Sequence, residues 1–361
     1  MPAVEADAAP PPPSVIGVDV GGTKVSVAAL RGGQLTGPAL SPTDRSSGEA
    51  LIDQIVDQVQ AMRGGAGEVA GVGVGVPSVV EFATGRARSS VNVPLRDIPL
   101  RQVLHDRLGL PAFVDNDATC AALAEAHDER GELDVRNLVM FTLGTGVGGG
   151  IVIAGRIYRG STGGAGELGH TLVGASFGPN GPEVGEFPQP GSLERLASGR
   201  ALDELARRAA AEHPDSALAR HASDGRAVAG PDAVAAAREG DPYAVRAITE
   251  LGWRLGVGVA NAINTFDPDV VAIGGGVSAA GELLLEAARE TARRLVLPGV
   301  GTSTEIRLAR SGPEAGVRGA ALLARQELAL EWHPAGVARA SHGGGATPPP
   351  PALNQREASR T

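Results

Sequence analysis

Short apolar runs bounded by glycines alternate along this chain with longer stretches whose apolar positions recur at helical spacing. The plainest example is the stretch NLVMFTLGTGVGGGIVIAGRIYRGSTGGAGELGH, from Asn137 to His170. Its apolar residues 138–141 lead into a glycine-rich segment, and residues 151–153 return before a turn at Ala154-Gly155-Arg156. The pattern predicts a strand, a glycine hairpin, a returning strand and a third strand-like piece. Residues 14–30, SVIGVDVGGTKVSVAAL, repeat the theme around Gly21-Gly22. After the first hairpin the pattern predicts a helix over 50–62 and a buried strand over 69–76 stopped by Pro77. It continues with a helix over 101–108, a strand over 112–114 ending in Asp115-Asn116-Asp117, and a helix over 118–126. After the second hairpin come helices over 192–211 and 243–266, separated by a variable segment that Pro214, Pro231 and Pro242 interrupt. A strand over 270–273 then runs into Gly274-Gly275-Gly276. A helix from Gly281, a strand over 306–309 and a helix over 315–329 complete the chain. Strands alternating with helices argue for α/β layers. Two similar halves, each opened by a glycine hairpin and facing one cleft, are a way to grip a nucleotide between two lobes.

Composition narrows the partners. With 361 residues, 42% of them hydrophobic, the chain can bury a full core in one large or two modest domains. Net charge is −9 and no basic block stands out, which points away from nucleic acid and from a membrane surface. Residues 1–13, acidic and rich in Pro and Ala, read as a disordered tail rather than a leader. A second tail is expected from about 334 to the end. A cytoplasmic location follows from that reading. The single cysteine, Cys120, excludes an internal disulfide and a cluster of several thiolates, and its Ala-rich surroundings predict a packing role.

The glycine clusters invite two nucleotide readings that the spacing rejects. Gly144, Gly146 and Gly149 fit G-x-G-x-x-G, but the dinucleotide motif needs a helix directly after the glycines, and a β-type run follows here. The segment around Gly21-Gly22 lacks the spacing of a strand-to-helix phosphate loop. What remains is a pair of hairpins whose backbone N–H groups can form concave anion sites, with Thr hydroxyls adding donors. A hairpin that needs glycine only for bulges is the plainer alternative.

Eight segments in order carry a resemblance. They are DVGGTK at 19–24, VGVPSVV at 74–80, NVPL at 92–95, VDNDA at 114–118, LGTGVGGG at 143–150, GELGH at 166–170, LERLASGRAL at 193–202 and AIGGGVS at 272–278. Together they resemble the ROK family of bacterial sugar kinases and repressors. The resemblance implies a two-lobed actin-like/hexokinase (ribonuclease H-like) ATPase fold with the active site in the interlobe cleft. It implies a small lobe over 14–117, a large lobe over 118–312 and a final helix over 313–330 packing back on the first lobe. It also implies transfer of the γ-phosphate of ATP to the 6-hydroxyl of glucose or a related hexose, in a homodimer or homotetramer.

Residue roles follow from the same resemblance. Asp117 would be the base for the sugar hydroxyl, kept a weak base because the positive end of its helix favours the carboxylate; its plainer reading is a helix cap. Asn92, Asn116, Glu167, His170 and Glu194 would bind the sugar; for the two asparagines the plainer role is a turn residue. Gly21, Gly22, Thr23 and Lys24 would approach the ATP phosphates from one lobe and Gly144, Thr145 and Gly146 from the other. Gly275 and Gly276 would flank the adenosine. Asp19 would hold Mg²⁺, through water, since Mg²⁺ sheds its waters reluctantly.

One departure from the family pattern is large. Many members carry a zinc site, C-x-C-G-x-x-G-C-x-E, after the E-x-G-H segment. Here Gly185, Phe187 and Ser192 stand where thiolates would be, so no zinc is expected and His170 is left to the sugar. The acceptor-rich set Asn92, Asn116, Asp117, Glu167 and Glu194 would accommodate an ammonium at C3, as in kanosamine, with glucose the default substrate. Polyphosphate as donor, and a non-catalytic sugar-responsive regulator, are the alternatives. Only residues 1–13 precede the first hairpin, which argues against a DNA-binding head.

Overall fold

A computed structural model describes residues 14–90, 92–179, 181–182, 184–221 and 225–331. Both expected tails, 1–13 and from about 334 onward, lie outside them. Strands β1 (Ser14–Val20) and β2 (Lys24–Arg31) form the first hairpin, extended by β3 (Gln34–Leu35) and β4 (Ala39–Pro42). Helix α1 (Gly48–Ala66), β5 (Val69–Val76), β6 (Ser78–Glu81), β7 (Arg86–Ser90), β8 (Arg96–Ile98), α2 (Leu100–Leu108), β9 (Ala112–Asn116) and α3 (Asp117–Glu125) follow. The second hairpin is β10 (Leu138–Leu143) and β11 (Val147–Ile153), extended by β12 (Arg156–Ile157). Next come β13 (Phe177–Gly178), β14 (Gly181–Pro182), α4 (Leu193–Ala197), α5 (Gly199–Glu212), α6 (Ala217–Arg220), α7 (Gly230–Arg238) and α8 (Pro242–Phe266). The last elements are β15 (Val270–Gly274), α9 (Glu282–Leu295), β16 (Glu305–Leu308) and α10 (Ala315–Glu331).

The two main sheets share a topology. One has the order β3-β2-β1-β5-β9, with β4 also beside β2, and the other has β12-β11-β10-β15-β16. In each, an antiparallel hairpin meets two parallel strands. The parallel strands are near-continuous apolar runs, as strands covered on both faces must be. Each sheet has its own apolar core.

Helices α3 and α10 pack on each other between the sheets, α10 against β1 and β5 and α3 against β11. Glycines make this close approach possible. A Cβ on Gly73 would collide with the carbonyl oxygen of Ala320 on α10, and one on Gly319 with that of Cys120 on α3. Cys120 is fully buried in this layer.

The structure revises two local expectations. The helix expected over 192–211 is two helices, broken at Ser198, whose extended backbone and hydroxyl cap α5 through Ala201 N–H. Gly199 donates its N–H to the carbonyl of Gly144 at 2.7 Å, so the break docks onto the second hairpin. The variable segment holds α6 and α7. Pro77 ends β5 as expected, but the chain then builds a small antiparallel sheet, β6-β7-β8, whose short mixed strands gave no period-2 pattern.

Candidate active site

The site forms where the strands of both sheets end. Asp19 sits next to last in β1, opposite Ser26, and the hairpin turn is closed by Gly21 N–H donating to Lys24 O at 2.9 Å. Thr43 pins the turn from the side, its hydroxyl donating to Gly21 O at 2.7 Å. Asn92 packs on Gly22, where a Cβ would come within 3.2 Å of the Asn92 Cβ. Thr23 and Lys24 are exposed at the tip. In the second hairpin Gly144 N–H donates to Gly146 O at 2.9 Å and Thr145 is exposed. Gly275, in the left-handed region at φ 85°, lies against the Leu143 backbone and so abuts the second hairpin, whereas the space beside Gly276 is open.

Asp117 opens α3 at the end of β9. The helix cap is Asn116, not Asp117: Asn116 Oδ1 accepts from Thr119 N–H at 3.1 Å and its amide donates to Ser78 O at 3.4 Å. This reverses the cap reading of Asp117 and gives Asn116 a structural task. Asp117 Oδ1 accepts from Ala118 N–H at 2.8 Å. Burial pushes its carboxyl above the ordinary value, the Ala118 N–H opposes, and the Glu167 charge pushes the same way as burial. The expectation of a weakened base therefore fails, because the cost of desolvating the charge exceeds the gain from the helix end. Asp19 is pushed up to about 7, first by burial and then by the Asp117 charge, with Lys24 opposing. Cα of Gly316, in the first turn of α10, sits where any Cβ would strike the Asp19 carboxylate.

Glu167 and His170 face each other at 3.9 Å on an exposed turn. The Phe187 ring meets the His170 ring edge-on at 5.6 Å between centroids. Glu194 sits beneath the second hairpin, and its Oε2 accepts from Val147 N–H at 2.8 Å. Gly146 leaves room for it, since a Cβ there would collide with that carboxylate. Of the five acceptors counted for an amino-sugar, Asn116, Asp117 and Glu194 thus already hold backbone N–H groups. The sequence reading missed Asp115, Arg159 and Gly316. Asp115 was passed over as part of a strand end, Arg159 lies in a polar loop without a pattern, and Gly316 is one glycine among 52. A hollow of about 440 Å³ lies elsewhere, beside β16 among Ile263, Arg289, Val296 and Ile306, and contains none of these residues.

The ROK family model matches residues 15–327. The chain belongs to the ROK family. It is 35% identical over 318 residues to a glucokinase of Halalkalibacterium halodurans, covering 86% of this chain and 95% of that protein. A ROK hexokinase structure from Thermus thermophilus superposes with a TM-score of 0.71 at 34% identity, over 88% of this chain and 99% of that one. A ROK family glucokinase from Streptomyces griseus, solved with glucose and AMPPNP, gives 0.70 at 34%, over 87% and 99%. The fold is the actin-like ATPase fold of the ROK hexokinases.

Among the described residues no group of three or more His, Cys, Asp or Glu side chains is placed to hold a metal. The loop where the sequence departs from the expected thiolate pattern is closed by a pair of hydrogen bonds. Gly185 N–H donates to Gln189 Oε1 at 2.8 Å, and Gln189 Nε2 donates back to Gly185 O at 2.7 Å. No described helix is long and apolar enough to cross a membrane.

Proposed function

We propose that this chain is an ATP-dependent hexose kinase acting on the 6-hydroxyl of glucose or a related hexose, with the amino-hexose kanosamine a candidate beside it. The observation that carries the reading is the position of Asp117: a buried carboxylate at the start of α3 that interacts with the charges of Glu167 and Asp19. Glucokinase relatives and the glucose and AMPPNP complex of the Streptomyces griseus protein support it. The proposed lobes, 14–117 and 118–312, with the helix 313–330 packing back, place Asp117 at their junction.

Asn92, Glu167 and His170 would orient the hexose, with Asn116 and Glu194 holding the turns around it. Asp117 then accepts the 6-hydroxyl proton as the oxygen attacks the γ-phosphorus and the β–γ bridge oxygen leaves with ADP. Phosphoryl transfer through a loose transition state asks mainly for positioning and for charge complementarity. A base with a raised pKa holds the proton better once transferred. Gly21, Gly22, Thr23, Lys24, Gly144, Thr145 and Gly146 would cradle the phosphates, and Gly275 and Gly276 would flank the adenosine. The space beside Gly144 and Gly276 is open, as close approach of a ligand requires. Mg²⁺ would suit the first hairpin: burial and the Asp117 charge both work against the Asp19 carboxylate, and a cation would relieve both costs while neutralising phosphate charge.

The test is ADP release with ATP and a panel of glucose, N-acetylglucosamine, mannose and kanosamine, with hexose phosphate formation as the readout when polyphosphate is the donor. Hexose-dependent ADP release is the expected result. Hexose binding without phosphate transfer would fit a sugar-responsive regulator instead, and a glucose advantage of about tenfold in kcat/KM, near 1.4 kcal/mol, would leave kanosamine without support.

A further inference from the structure

We infer that Arg159 is a positioning residue that fixes the Asp117 turn and the Glu167 loop relative to each other; its link to catalysis rests on the kinase reading above. Arg159 follows β12, on the segment leading to Glu167 and His170, and Ala165 N–H donates to its carbonyl at 3.1 Å. Its guanidinium reaches three other parts of the chain. Nε donates to Asp115 Oδ2 at 2.7 Å, Nη2 to Glu327 Oε1 of α10 at 3.1 Å, and the group lies 3.4 Å from the centre of the Phe82 ring.

Asp115 is almost wholly buried, two residues before Asp117 on β9. Its other oxygen accepts from Asn116 N–H at 2.9 Å, and Asn116 caps α3. A continuous path of bonds therefore runs from the sugar-side loop through Arg159 and Asp115 to the turn that aims Asp117. Burial pushes the Asp115 carboxyl up even with Arg159 beside it, so the ion is costly and is kept for what it holds in place. An arginine is needed because its planar fork can serve two carboxylates and a ring face at once, which a lysine ammonium cannot. Catalytic groups work only within about 0.5 Å of their productive place, and a shift of about 1 Å costs about 10²-fold in rate.

The experiment compares wild type with Arg159→Met, Arg159→Lys and the double variant Asp115→Asn/Arg159→Met. It measures kcat, KM, Tm and amide hydrogen exchange. Arg159→Met should lower kcat about 10²-fold while KM for ATP stays within about twofold, and Arg159→Lys should recover only part of that loss. The double variant no longer leaves a buried carboxylate unpaired, so its Tm should return toward wild type while kcat stays low. Exchange at residues 115–119 and 158–167 should accelerate together by about tenfold in Arg159→Met, a readout that does not depend on phosphate transfer. Unchanged exchange in either segment overturns the inference, as does recovery of kcat along with Tm in the double variant. If wild type releases no ADP with any hexose, the kinase reading fails and the exchange data alone decide the positioning role.

Discussion

The two sheets have one topology and two chemistries. Asp19 stands two residues before the first hairpin glycine, and Thr142 two residues before Gly144 at the matching place in the second. One hairpin therefore has a carboxylate at its base and the other a neutral hydroxyl. The fifth strands differ in the same way. Strand β9 runs into Asp117 and α3, whereas β16 runs through Ser311 to α10, whose first turn has Gly316 against Asp19. The repeated scaffold supplies two glycine hairpins, and the buried carboxylates Asp19 and Asp117 stand at strand ends of the first sheet only. Where the second copy uses an acid, Glu194, it holds its own hairpin through Val147.

The largest break in this asymmetry is Asp117→Asn. It should cut kcat by about 10²–10⁴ while hexose binding, measured by calorimetry, largely survives. Near-normal turnover would remove Asp117 from the mechanism. Gly319→Ala attacks the shared layer instead, forcing a methyl into the α3 backbone. A destabilisation of about 1–3 kcal/mol is expected, read as a lower midpoint in a denaturant titration.

Asp19→Asn makes the first hairpin as neutral as the second. Asp19 has a folded pKa near 7 against an ordinary value of 3.8. Between those values the folded chain holds a proton that the unfolded chain has lost, so metal-free stability falls as pH rises through that window. The substitution should flatten the fall and raise Tm at pH 8 by roughly 2–4 °C, the shift of about 1 kcal/mol in a domain of this size. An unchanged pH slope in thermal scans would show that another group carries it. Glu194→Gln, the mildest, trades a charged acceptor for a neutral one at Val147. A rise in KM for ATP of roughly fivefold, about 1 kcal/mol, is expected, with the hexose KM little moved.

Most elements were legible because buried parallel strands are written as apolar runs and their breaks as glycine. Val69–Val76 has the bounds its pattern predicts, and both hairpins turn at their glycines. The sheet β6-β7-β8 was not legible, since its strands are short, mixed in polarity and defined by partners rather than by period. Site chemistry divides similarly. Asp117 could be singled out by its neighbours in sequence, but the direction of its pKa could not, because burial is a property of the whole layer. Arg159 was invisible for the same reason: its partners Asp115 and Glu327 lie far apart in the chain.

Cys120 lies under this layer, against Gly319 and Gly75, with burial and then Asp115, Asp19 and Asp117 keeping its thiol well above the ordinary value. A thiol reagent needs the thiolate and a path to it, and the closed layer denies both. As the chain's only sulfhydryl, Cys120 makes the protein its own chemical clock. The rate at which an added disulfide reagent consumes it counts how often α3 and α10 part, in solution and without any label.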